Sequence, residues 1–228
     1  MNKLIKLIIL IILSLSVYYI YNYTNNSKYT IMNLGDRLST GIDNSGRKEK
    51  SYIDYFKEYQ EKENDKVELK NTYSNNSQNI NKTLLLIENN PKIKRELIDS
   101  DILIITLGYN DLVYELSIED VHNEYILEKK FKKIKKEYNS LIEEITKYYH
   151  KEIIVIGYYK LINDNSYINN NIVKLNNILK SNKKVNYIDT YNLLINDKYF
   201  SNKGNNYPNN KGNKEISKKI ISKILEKV

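Results

Sequence analysis

Two apolar runs, Ile102-Leu103-Ile104-Ile105-Thr106-Leu107 and Ile153-Ile154-Val155-Ile156, constrain this chain more than anything else in it. Neither alternates apolar with polar residues, so neither has a face suited to water. Strands of this kind are covered on both sides, as in a parallel sheet held between layers of helices. Thr30–Leu34, Val67–Lys70 and Val185–Ile188 read as further strands. Helical patterns fall between them, over Tyr52–Glu61, Thr83–Glu88, Lys92–Ile98, Leu127–Tyr149, Ile168–Leu179 and Asn213–Leu225. In the last of these, Ile216, Ile220, Ile221 and Ile224 recur at helical spacing and mark an amphipathic closing helix. The expected architecture is α/β: a three-layer α/β/α sandwich around one mostly parallel five-stranded sheet. Ligands of open sheets bind beyond the carboxyl ends of the strands, which singles out Gly35–Gly41 and Gly108–Asp111.

The first residues follow a different rule. Leu4 to about Ile20 are almost entirely apolar, with Lys3 and Lys6 near the start and Tyr18, Tyr19, Tyr21 and Tyr23 at the far end. A helix needs about 20 such residues to cross the hydrocarbon core, tyrosines suit the interface, and the lysines favour a cytoplasmic N-terminus. Residues 1–22 are therefore expected to be a transmembrane anchor, residues 23–28 a linker and residues 29–228 the folded domain. Cleavage of a signal segment near Ser14-Leu15-Ser16 is the alternative. In both cases the domain is exported, as a single-pass cell-membrane protein or a secreted one.

The chain has 228 residues and no cysteine, which excludes disulfides, a thiol nucleophile and lipid attachment through cysteine. Its 36 basic and 28 acidic residues leave a net charge of +8, compatible with an anionic lipid or wall polymer as partner, or with a protein. No nucleic-acid-binding pattern accompanies that charge. The lysines of Lys129–Lys136 alternate with Phe131 and Ile134 in a helix whose apolar stripe continues through Tyr138, Leu141, Ile142 and Ile145. They read as the solvated face of a core-packed helix.

Three short blocks carry the chemistry. The first is Leu34-Gly35-Asp36-Arg37-Leu38-Ser39-Thr40-Gly41, directly after a strand. The second is Leu107-Gly108-Tyr109-Asn110-Asp111-Leu112, also at a strand end. The third is Gly204-Asn205-Asn206-Tyr207-Pro208-Asn209-Asn210-Lys211-Gly212, leading into the closing helix. Together they resemble the Gly-Asp-Ser-Leu, Gly-x-Asn-Asp and Asp-x-x-His-Pro-Asn-x-x-Gly blocks of the SGNH (GDSL) esterase and lipase family. Ile154–Tyr159, Asn176 and Val185–Asp189 are similar to the later half of its lysophospholipase-like bacterial members. The resemblance runs from about Thr30 to the C-terminus and implies the SGNH-hydrolase, flavodoxin-like arrangement, ester hydrolysis and no cofactor.

The resemblance also implies what is missing. The nucleophile position holds Arg37, the acid position Gly204 and the base position Tyr207. Asn110 falls on the oxyanion-donor position, whereas the family's other donor glycine has no counterpart near Asn76 or Ser77. A guanidinium offers no nucleophilic lone pair, and a phenol with an ordinary pKa of about 10 is a poor base near neutrality. Ser39 is the fallback nucleophile, two positions out of place. His122 and His150 lie far apart in sequence with no carboxylate cluster at ligand spacing, so no metal site is expected. Asp36 and Asp111 are expected to bond loop backbone. Asp36, Arg37, Gly108, Asn110 and Tyr207 remain as candidate ligand-binding residues, with Arg37 suited to carboxylate or phosphate oxygens. A buried pairing of Arg37 with Asp111 would instead plug the cavity.

Overall fold

Strands β1 (Tyr29–Gly35), β2 (Val67–Lys70), β3 (Ile102–Thr106), β4 (Glu152–Ile156) and β5 (Asn186–Ile188) form one sheet in the order β2-β1-β3-β4-β5. Every pairing between them is parallel. The computed structural model describes residues 3–26, 28–43, 45–64, 66–113, 123–162, 166–201 and 206–226. The helices are α1 (Lys3–Asn26), α2 (Arg37–Thr40), α3 (Tyr52–Glu63), α4 (Ile80–Asn89), α5 (Pro91–Asp99), α6 (Tyr109–Val113), α7 (Glu124–Thr146), α8 (Ser166–Lys180) and α9 (Asn210–Leu225). Helix α3 packs with α9, and α4 packs with α5 and α7, the last touching α8. The sheet between these two sets is buried on both faces, with Ile31, Leu103, Ile104, Ile105, Ile154, Val155 and Ile156 shielded from water. Each buried aliphatic side chain of this kind contributes about 1.5–3 kcal/mol.

Local chemistry sets the helix starts. Ser51 and Asp54 form a reciprocal capping box on α3, and Asn79, Asn90 and Asn209 cap α4, α5 and α9. Because Asn79 is the cap, α4 begins at Ile80, three residues before the expected Thr83. Pro91 occupies the first turn of α5, where its missing N–H costs nothing. Helix α7 has its basic residues outward and Leu127, Ile134, Tyr138, Leu141, Ile142 and Ile145 buried. It stops at Thr146, short of the expected Tyr149. Tyr149 turns inward and donates to the Glu152 carbonyl at 3.0 Å, which leaves His150 exposed in the turn before β4 rather than at a helix terminus.

The expected spanning helix is not found: among the described residues, no helix is long and apolar enough to cross a membrane. Helix α1 continues through Asn26, into the stretch expected as a linker. Its described apolar side chains, from Ile5 to Tyr18, are all exposed.

The β1–β3 register positions the site. Ile31 lies opposite Ile102 and Gly35 opposite Thr106, so the segments after Gly35 and Thr106 emerge side by side. This is the point where the strand order reverses, the usual position of a ligand crevice.

Candidate functional site

Gly35 ends β1, and its missing side chain is required: a Cβ there would fall 2.2 Å from Ser39 Oγ. Asp36 follows as the N-cap of α2. One carboxylate oxygen accepts from Leu38 N at 3.1 Å and the other from the Tyr158 hydroxyl at 2.5 Å. The residue is 2% exposed, and burial is the main reason its carboxyl is pushed up to about 7, with the Asp111 carboxylate adding to the effect. Gly41 closes α2 with a φ of 71°, and a Cβ there would meet the Glu49 carbonyl oxygen at 2.2 Å.

Arg37 begins α2 and bonds backbone carbonyls. Its Nε donates to the Ile42 carbonyl at 3.3 Å, and a terminal nitrogen donates to the Asp43 carbonyl. The guanidinium carbon stands 4.6 Å from the centre of the Tyr207 ring, within the range of a cation–π contact. Arg37 and Tyr207, the residues expected at the nucleophile and base positions, therefore touch each other. Ser39 is fully buried and its hydroxyl donates to the Asp36 carbonyl at 2.6 Å. That commits its proton to backbone.

Asn110 sits in α6, 3% exposed, and its amide nitrogen donates to the carbonyls of Asn76 at 2.9 Å and Gln78 at 2.7 Å. A side-chain amide has two hydrogens, and both are engaged. Asp111 accepts from Ile80 N at 3.1 Å and so holds the start of α4. Its carboxyl is pushed up to about 6, chiefly by burial. Asn110 and Asp111 line a small polar pocket of about 70 Å³ with Asn79, Lys130, Lys133 and Glu137. Gly108 makes the turn into α6 at a φ of 128°. The Pro-Asn-x-x-Gly frame is structural: Asn209 accepts from Lys211 N and Gly212 N as the α9 cap, and Gly212 packs against Pro208 and Tyr199. Gly204 and His122 lie outside the described residues.

Three tyrosines join the site without having been singled out by sequence. Tyr109, Tyr158 and Tyr159 line a cavity with Asp36, Leu38, Leu161, Asn206 and Tyr207. About 10 Å³ of it is open to the centre of a water molecule, room for roughly one water. Burial pushes the Tyr109 phenol up to about 12, and Tyr158 and Tyr159 are shifted upward by the same cause. They stay neutral hydroxyls, and Tyr159 donates to the Asn206 carbonyl at 2.6 Å. Asn176 holds Tyr158 in place by bonding both its N–H and its carbonyl, at 2.8 and 2.7 Å. Among the described residues no group of three or more His, Cys, Asp or Glu side chains could hold a metal ion. Among the described residues the arrangement offers cation–π and hydrogen-bond contacts.

The family model for the GDSL-like lipase/acylhydrolase matches residues 31–220. Among solved structures, the lipase Lip_vut3 from a goat rumen metagenome is similar with a TM-score of 0.72 and 22% identity, over 85% of this chain and 96% of that one. A catalytic mutant of Axe2, an acetylxylan esterase from Geobacillus stearothermophilus, aligns with a TM-score of 0.62 and 14% identity, covering 86% and 94%. The lipase/acylhydrolase from Enterococcus faecalis gives 0.60 and 15%, covering 87% and 96%. No curated protein matches.

Proposed function

The chain belongs to the GDSL-like lipase/acylhydrolase family, and from that premise we propose that it is a non-catalytic member. Its fold serves to bind an anionic or acylated surface ligand, or a protein partner, at a membrane. One observation carries this reading: the residue at the nucleophile position, Arg37, is spent on two backbone carbonyls and the Tyr207 ring. Ser39, the nearest hydroxyl in that loop, is buried and donates to backbone. Acyl transfer needs a nucleophile, a base within reach and a free oxyanion donor. Arg37 supplies no nucleophile, Tyr207 is a poor base, and both amide hydrogens of Asn110 are engaged.

The full chain in detergent, given p-nitrophenyl acetate, is expected to hydrolyse it no faster than buffer, and a fluorophosphonate probe is expected to leave it unlabelled. Labelling that maps to Ser39, and is lost in Ser39→Ala, would instead make the chain an active serine esterase on lipid or cell-wall polymer esters.

Helix α1 supports the membrane tether, because its exposed apolar side chains gain by leaving water and the helix leads almost directly into β1. Lys3 and Lys6 at the near end favour a cytoplasmic N-terminus, with the domain outside. Protease added to intact cells is expected to degrade residues beyond Lys28. Full protection of the domain would place it inside.

A further inference from the structure

Asn33 is out of place by composition. It sits within the apolar strand β1, fully buried, where an unpaired amide is costly. Its side chain repays that cost by reaching out of the sheet: the amide donates to Asn71 Oδ1 at 2.7 Å and Ser74 Oγ at 3.1 Å. Ser74 in turn donates to the Asn33 carbonyl at 3.1 Å, and Asn75 N donates to the Gly35 carbonyl at 3.2 Å. A segment of loop is thereby bolted to the end of β1.

The segment facing it is equally fixed. The Asp43 carboxylate accepts from Ser45 N, Ser45 Oγ, Arg47 N and the Arg47 guanidinium, and Lys48 is bridged in antiparallel fashion to Ile42. The Thr40 hydroxyl, 3.1 Å from Asn76 Oδ1, joins the two walls.

Between these walls lies an open cleft of about 550 Å³, within the usual size for a small-molecule site. Hydroxyl and amide side chains dominate its lining, from Thr40 and Asn71 to Ser77, and among the described residues no carboxylate contributes to it. Lys48 is its one lining cation and makes no ion pair among the described residues. It is distinct from the tyrosine-lined cavity beside Asp36 and shares no residue with it.

We infer that this cleft is a binding site for a sugar or polyol unit carrying one anionic group. With their own protons committed to neighbours, the Thr40, Ser74 and Ser77 hydroxyls keep acceptor lone pairs for ligand hydroxyls, which donate. The ammonium of Lys48, without an ion pair among the described residues, is a single point charge, suited to one phosphate or carboxylate. Because the walls are fixed in advance, little ordering cost falls on binding. The site does not depend on the absence of turnover, since fluorophosphonate labelling concerns Ser39 and leaves Lys48 untouched.

Calorimetric titration of the full chain in detergent with glucose 6-phosphate, glucuronate, glucose and inorganic phosphate tests it. Both anionic sugars are expected to bind more tightly than glucose or phosphate. Lys48→Ala, at an exposed side chain, is expected to weaken the anionic sugars by about tenfold or more and leave glucose unchanged. Asn76→Ala is expected to weaken all three sugars. Absence of saturable binding by either anionic sugar overturns the inference. So does binding of phosphate as tight as that of glucose 6-phosphate, or an Asn76→Ala variant that binds all three sugars as the wild type does.

Discussion

Asp36→Asn is expected to make the chain more stable at pH 8, by about 4 kcal/mol. The carboxyl is buried, and its pKa rises from an ordinary 3.8 to about 7 on folding. Below pH 3.8 both the folded and unfolded chains hold the proton, and pH has no effect through this group. Between about 4 and 7 the folded chain keeps a proton that the unfolded chain has lost, so stability falls by about 1.4 kcal/mol per pH unit as pH rises. Above about 7 both states are ionised and the full cost persists. Asparagine removes this dependence but keeps the local structure: its amide oxygen can still cap α2 by accepting from Leu38 N, and its amide nitrogen can donate to the Tyr158 hydroxyl oxygen. Asp111, pushed up to about 6, contributes a similar slope at lower pH. That slope is shared by the wild type and Asp36→Asn, so the two chains differ in slope across the whole interval from about pH 4 to 7. Thermal melts at pH 5 and pH 8 check this: the wild type should lose about 10 °C between them and Asp36→Asn clearly less. Equal melting temperatures at pH 8 would mean that the Asp36 carboxylate is compensated inside the fold.

The scaffold was legible because it follows from short-range pattern. Ile102–Leu107 and Ile153–Ile156 could only be doubly covered strands, and β3 and β4 occupy them to within one residue at their ends. Val67–Lys70 matches β2. Helix ends were less legible where tertiary contacts decide them: Tyr149 leaves the helical pattern because its hydroxyl finds Glu152. Single-turn helices α2 and α6 carry too few residues for any periodicity to show.

At the site, the partners of the candidate residues could not be read from sequence. Arg37 looked like a ligand-binding fork or a partner of Asp111; it instead bonds carbonyls five and six residues ahead, a choice fixed by the path of the chain after Gly41. Asn110 looked like a surviving oxyanion donor. Its hydrogens are taken because the loop at Asn76–Gln78 curls over it, a contact across more than thirty residues. Tyr158, 122 positions from Asp36, carries no local mark of its role.

Asn33→Ala is expected to destabilise the chain by about 3 kcal/mol, more than most single changes in the site. The loss is larger than that of one hydrogen bond because the amide is a hub. Its removal strips donors from Asn71 and Ser74 and an acceptor from the Tyr52 hydroxyl, which lies 3.2 Å from Asn33 Oδ1. Tyr52 is fully buried and its hydroxyl keeps a second partner in Thr106. Tyr52→Phe should therefore cost only about 1 kcal/mol. The two substitutions share a bond, so the double variant is expected to fall short of their sum, by about 0.5 kcal/mol or more. Denaturant unfolding of the four chains measures this. Asn33→Leu separates volume from bonding: it fills the space in β1 and still leaves Asn71 and Ser74 without their donor. A leucine variant as stable as the wild type would mean that burial in the strand, rather than attachment of the 71–75 loop, is what position 33 contributes. If attachment is the role, both Asn33→Ala and Asn33→Leu should also speed amide hydrogen exchange in that loop, whereas Tyr52→Phe should not.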